Sequence, residues 1–226
     1  AEEHLPLRSE YSASDEGRIN KGAAKILFGK VYLTKGDFQK AKDKLAEVVE
    51  HESEYGFGLH KDYHANWLRD TEAGIEAVLY IEYKEPPFQH NGEMALAGPK
   101  YSIPGSLGIS ALNEADIPTQ ELYDQFDNRD LRKKTNFKTE FAHLKTGEIL
   151  KSSIPLSGKF WVEGLETGDR CDVNMHIIRY ADAILMYAEA LNEVGKSTKA
   201  LAMLNRIRER AFGDDSGNFK PMSKDE

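Results

Sequence analysis

The sequence predicts a mainly α-helical protein made of helical hairpins, joined by long irregular loops and a few short strands. Three observations carry this expectation. Residues 177–211 hold two stretches of helical periodicity on either side of Gly195. Residues 18–50 hold two more on either side of Gly36. The two blocks also match each other position by position at one constant offset.

In chain order, residues 1–16 are polar and turn-prone, and the end of this stretch is expected to cap a helix starting near Gly17. Ala24, Leu27, Phe28 and Val31 then form one helical stripe. A turn falls at Lys35, Gly36 and Asp37, and Phe38, Ala41, Leu45 and Val48 form a second stripe. Such a pair of stripes predicts an αα-hairpin with both faces turned inward. Residues 54–59 read as a loop or short edge strand, and Tyr63 to Leu68 place aromatics near a turn. Ile75 to Tyr83 suits a strand or a buried extended run, stopped by Pro86 and Pro87.

Residues 84–117 are glycine-rich and almost without period, and a loop of that length in a compact chain is usually functional or disordered. Thr119 is placed to cap a short helix, Gln120 to Phe126. Leu131 to Trp161 suggests a small hairpin or meander, with turns at Lys145–Gly147 and Ser157–Gly158. A polar loop, Gly164 to Asn174, leads into the second hairpin, whose stripe is Ile184, Tyr187, Ala188 and Leu191. Ala200, Leu201, Leu204, Ile207 and Arg208 nearly repeat it, with a Ser or Thr cap expected within Lys196–Thr198. Asp182 complements the dipole of the first of these helices, and Arg179 is placed to pair with it or with the neighbours of Glu189 across the hairpin.

Gly29, Tyr32, Gly36, Ala41, Leu45 and Val48 align with Ala188, Leu191, Gly195, Ala200, Leu204 and Ile207. The order of small, aromatic, Gly, Ala and large residues is that of a tetratricopeptide repeat, although Lys25 stands at its Trp position and no terminal Pro follows. A repeat stack needs about three units to bury its faces. Because the two copies lie far apart in sequence, other helices are expected to supply the missing neighbours.

Composition excludes several function classes. A net charge of -8 argues against a nucleic-acid partner, which would need a basic face. The single Cys171 excludes an internal disulfide. No apolar run is long enough to span a membrane. The first residues do not read as a signal segment and the last end in polar residues without a stop of their own, so residues 1–226 are read as a single-domain fragment.

Four blocks in order carry a family resemblance: GRINKGAAKILFGKVYLTKGDFQKA, IEAVLYIEY, IPTQELYDQF, and NMHIIRYADAILMYAEALNEVG with ALAMLNRIRERA. The chain resembles the SusD/RagB family of outer-membrane glycan-binding lipoproteins. The resemblance implies a SusD-like α-α superhelix at the cell surface, anchored by a lipid outside this chain. It also implies an oligosaccharide ligand, a SusC-like TonB-dependent transporter as partner, and no enzyme activity, cofactor or metal.

Sugars are held by aromatic faces stacked on pyranose rings, with amides and hydroxyls taking the sugar hydroxyls. The candidate glycan-binding residues are therefore Phe88, His90, Asn91 and Tyr101 of the long loop, together with Trp161. Trp67 is expected in the core. His60 and His64 have a spacing that would suit a metal on a helix but lack a third ligand, and read as incidental. Two oxygen-rich loops, Asp169/Asp172/Asn174 and Asp214/Asp215/Asn218, miss the calcium-loop spacing and read as solvated turns. Glu163 and Glu166 have no positional logic as a glycosidase pair, and Cys171, although in a polar loop, has no specified His. The competing readings are a helical-repeat scaffold that binds protein rather than glycan, and a hydrolase.

Overall fold

The structure, a computed structural model, describes residues 2–84 and 91–221. Its elements in order are α1 (Lys21–Thr34), α2 (Phe38–Val49), α3 (Glu52–Tyr55), β1 (Ala77–Ile81), α4 (Glu93–Ala97) and α5 (Gln120–Gln125). They continue with α6 (Lys133–Asn136), β2 (Phe137–Ala142), β3 (Ile149–Ser157), β4 (Met175–Arg179), α7 (Tyr180–Glu193) and α8 (Ser197–Phe212). The chain divides into two compact units.

The first unit comprises Ala1–Asp62, Ala73–Ile81 and His176–Glu226. Asn20, not a residue before Gly17, caps α1 by accepting from the Ala23 N–H at 2.9 Å. The turn after α1 works because Gly36 adopts a φ of 74°, which costs a residue without a Cβ nothing. α1 packs on α2, α2 on α7, and α7 on α8. The two hairpins therefore stack directly on each other, and no other helix is needed between them. Their interface buries Leu45, Val48 and Val49 with Ile184, Tyr187 and Leu191. It is closed by a polar seam in which the Tyr180 hydroxyl donates to Glu52 at 2.8 Å and Arg206 pairs with the same carboxylate at 2.8 Å.

Four expectations are corrected in this unit. The stripe Leu27, Phe28 and Val31 is exposed at 44%, 41% and 46%, and the buried face of α1 is Gly22, Ala23, Ile26 and Gly29. The reason is close approach: a Cβ on Gly29 would run into Leu45, so the small-residue face is the one α2 can reach. Residues 177–179 belong to β4, which pairs with β1, and α7 starts only at Tyr180. Arg179 pairs with the buried Glu76 at 2.6 Å rather than with Asp182, whose partner is Lys30 at 3.6 Å. Finally, α8 has Lys196 at its N-cap with no side-chain cap, and the Ser197 hydroxyl bonds Asn192 instead.

The second unit comprises Tyr63–Glu72 and Glu82–Met175. Its strands form the antiparallel hairpin β2–β3, with Phe137 opposite Ser157 and Ala142 opposite Ile149, and with a register shift between Lys138 and Glu140. The tip is set by His143, whose Nδ1 accepts from the Lys145 and Thr146 N–H groups at 3.2 Å, and by Gly147 at a φ of 71°. Thr119 caps α5 by accepting from Leu122 at 3.1 Å. Two apolar clusters fill the unit: Tyr63, Trp67, Met94, Cys171 and Val173 in one, and Ile103, Leu107, Leu112, Phe141 and Leu156 in the other.

Candidate functional site

The long loop of the second unit is held by its own residues. After α4, the chain turns through Ala111 and Glu114, two non-glycine residues with φ of 59° and 53°. Left-handed backbone at such residues is strained and persists where the surroundings over-determine it. Here the Asn113 and Ala115 N–H groups donate to the Ala95 and Leu96 carbonyls of α4, each at 2.8 Å. Leu112 is wedged between Gly98 and Gly168, where an added Cβ would clash with it.

This turn aims the Glu114 carboxylate at the backbone of the next strip of loop. One oxygen accepts the successive N–H groups of Lys100, Tyr101 and Ser102 at 2.7, 2.7 and 2.9 Å. Burial works against the Glu114 charge, yet the three amide donors outweigh it and hold the carboxyl below the ordinary glutamate value. The Ser102 carbonyl in turn accepts the Ser153 N–H of β3 at 2.9 Å. On this base the Tyr101 ring stands 75% exposed, with the Lys100 ammonium 5.2 Å from its centre.

The other expected site residues are placed differently. Asn91 is buried, with its backbone bridged to Cys171 and its amide donating to the Val173 carbonyl at 2.9 Å. Its side-chain oxygen accepts the Glu93 N–H at 2.8 Å, so Asn91 fastens the loop's entry into α4. Trp161 is half-buried and packs against both apolar clusters, edge-on to Phe141 at 4.7 Å and 77°. Phe88 and His90 lie outside the described residues. No hydrogen bond or ring contact links Asn91, Tyr101 and Trp161 among the described residues; Trp161 packs against both clusters, whereas Asn91 bonds the Cys171–Val173 edge of the first. Ala111 and Glu114, the two strained residues, were missed by sequence reasoning. Their signal, a carboxylate facing consecutive amides, exists only once the loop is folded.

The minor candidates resolve simply. Trp67 is buried and stacks edge-on with Tyr63 at 4.6 Å. His60 precedes the turn and His64 lies in a short 3-10 helix, Tyr63–Trp67, so the two do not share one helix. Asp172 pairs with Arg69 at 2.5 Å, and Asn174 accepts from Tyr83 at 2.8 Å. Asp214 caps the turn Asp215–Gly217 by accepting from Ser216 at 2.9 Å. Cys171 is not in an exposed polar loop: it is buried, and burial pushes its thiol up to about 11, far from a reactive thiolate.

The fold combines one unit of stacked helical hairpins and one loop-rich unit that presents an aromatic ring, and it is similar to that of SusD-like proteins. The sequence model of the SusD family matches residues 151–225. SusD-like protein P2 of Formosa agariphila is 29% identical over 90% of this chain, and the match covers 44% of that relative. Among solved structures, a SusD superfamily protein of Parabacteroides distasonis superposes with a TM-score of 0.76 at 24% identity, covering 92% of this chain and 47% of the other. Surface glycan-binding protein A of Bacteroides thetaiotaomicron, in complex with laminarihexaose, has a TM-score of 0.74 at 18% identity over 96% of this chain and 52% of the other. The chain thus spans about half the length of the curated relatives it matches. By family model, relatives and fold, the chain is similar to the SusD/RagB family.

Proposed function

We propose that the protein captures an oligosaccharide or polysaccharide without chemically altering it, and passes it to a SusC-like TonB-dependent transporter at the outer membrane of the cell. In this reading it is a surface-exposed lipoprotein. The observation that carries the proposal is Tyr101, an exposed aromatic ring on a loop whose backbone is fixed by Glu114. Such a ring offers a sugar its flat face at little entropic cost, because the platform is ordered before the ligand arrives. The likeness to SusD-like proteins, including one solved with laminarihexaose, supports the class of ligand. Trp161, Phe88, His90 and Asn91 remain candidate contributors, with Asn91 supporting the loop rather than touching sugar. Affinity electrophoresis through gels containing a panel of polysaccharides tests the proposal. Retardation that disappears with Tyr101→Ala supports it. No retardation in any gel, together with capture of a partner protein, favours a protein-binding scaffold instead, and released reducing sugar overturns both.

A further inference from the structure

We propose that an open trough of about 420 Å³ in the second unit, lined by Tyr123, Asn128, Leu131, Lys133, Lys134 and Lys138, binds the charged group of an anionic saccharide. The shared chemistry is an acidic sugar, carrying either a uronate carboxylate or a sulfate ester. The inference rests on the glycan-capture reading and names the class of glycan.

The argument is one of uncompensated charge. Asp130 lines the trough but is buried and paired with Arg132 at 2.6 Å, and Glu140 is paired with Lys151 at 3.1 Å. Lys138 is paired with Glu163 at 2.9 Å. Lys133 hydrogen-bonds only neutral acceptors, donating to the Phe126 carbonyl at 3.0 Å and the Asn128 amide oxygen at 2.9 Å while lying 4.4 Å from the centre of the Tyr123 ring; the Asp127 carboxylate that feels its charge is already paired with Arg129 at 2.6 Å. Lys134 meets no carboxylate among the described residues. Two positive charges are thus left unanswered at one concave site, in a chain whose net charge is -8. A solvated lysine face is ordinary, but these lysines share their trough with sugar-binding chemistry. Tyr123 is fixed edge-on against Phe137 at 5.3 Å and 85°, Leu131 is 46% exposed, and Asn128 supplies an amide. The volume suits a few sugar rings and exceeds what a free inorganic anion fills.

Titration calorimetry with four probes tests this: a galacturonate hexamer, a sulfated galactan oligosaccharide, laminarihexaose as a neutral glucan, and inorganic sulfate. At least one acidic oligosaccharide binds, and which one identifies the anion. Its affinity falls about tenfold when Lys133→Gln and Lys134→Gln are combined, and falls with added salt. Lys134→Glu alone, at an exposed and unpaired position, weakens acidic but not neutral binding and keeps the test independent of any local effect at Lys133. Binding of laminarihexaose with neither acidic oligosaccharide bound overturns this inference and leaves glycan capture standing. Binding of no saccharide overturns both. Undiminished acidic binding by the lysine variants, or inorganic sulfate binding as tightly as the sugars, also overturns it.

Discussion

At the scale of single residues, the proposed glycan site rests on the Glu114 carboxylate. Glu114 accepts three consecutive amides, so replacing it leaves those donors unanswered and frees the backbone under Tyr101. Glu114→Ala is expected to weaken polysaccharide retardation while Tyr101 stays in place, and Tyr101→Ala to abolish it with an unchanged melting temperature. Retardation equal to wild type in both variants would remove the loop from the site. Glu72 gives a second residue-scale prediction. Burial raises its carboxyl to about 7, with the Asn174 N–H bond at 2.8 Å and the Arg69 charge working against the rise and the Asp172 charge adding to it. A carboxyl whose folded pKa stands above its unfolded value stabilises the fold only while protonated. Its contribution is therefore full below about pH 4.5 and is lost as pH rises through 7. Glu72→Gln, which is always neutral, should raise stability at pH 8 by on the order of 1 kcal/mol per pKa unit, read as a higher melting temperature, and change it little at pH 4. Melting curves with the same pH dependence in both proteins would refute this.

At the scale of elements, the repeat register explains both what the sequence made legible and what it hid. Ala183, Tyr187, Ala188 and Leu191 are all buried, because α7 lies between α2 and α8. Their counterparts in the first copy include Ala24 and Phe28, which periodicity alone also assigned to the core. Phe28 is nevertheless 41% exposed, because α1 packs on one side only, through Gly22, Ala23, Ile26 and Gly29. Periodicity finds an apolar face but does not say whether a neighbour covers it. For the same reason residues 177–179 read as helix although they belong to β4: the apolar Ile177 and Ile178 fit either period, and only the pairing of β1 with β4 decides between them. Turn chemistry was more legible, since Thr119, Gly36, Gly147 and Gly195 act locally and their roles need no partner element. The close crossings yield the element-scale prediction. Gly29→Leu should overpack the α1–α2 crossing and Ala188→Leu the buried face of α7, each costing about 1 to 3 kcal/mol in urea unfolding. Wild-type midpoints for both would refute the tetratricopeptide-like packing.

At the scale of the whole molecule, the first unit has to be assembled from three separate stretches of chain, and one buried carboxylate joins them. Glu76, in the middle stretch, is fully buried and pairs with Arg179 and Arg210 of the last stretch, each at 2.6 Å. It also accepts the His60 N–H of the first stretch at 3.1 Å, and its own carbonyl accepts the Tyr180 N–H at 2.8 Å. A buried ion group adds little net stability against an apolar replacement, but removing one member leaves the other charges uncompensated. Glu76→Gln keeps the shape and the acceptor oxygen while removing the charge, so it is expected to cost about 3 to 5 kcal/mol. The chain carries its own reporters for this test. Both tryptophans, Trp67 and Trp161, lie in the second unit, whereas the long helices that dominate circular dichroism lie in the first. In the variant, the helical signal should be lost at lower urea than in wild type, and before the tryptophan signal changes. If both signals move together by the same amount, Glu76 holds the whole chain rather than one unit; if neither moves, the carboxylate does not hold the three stretches together.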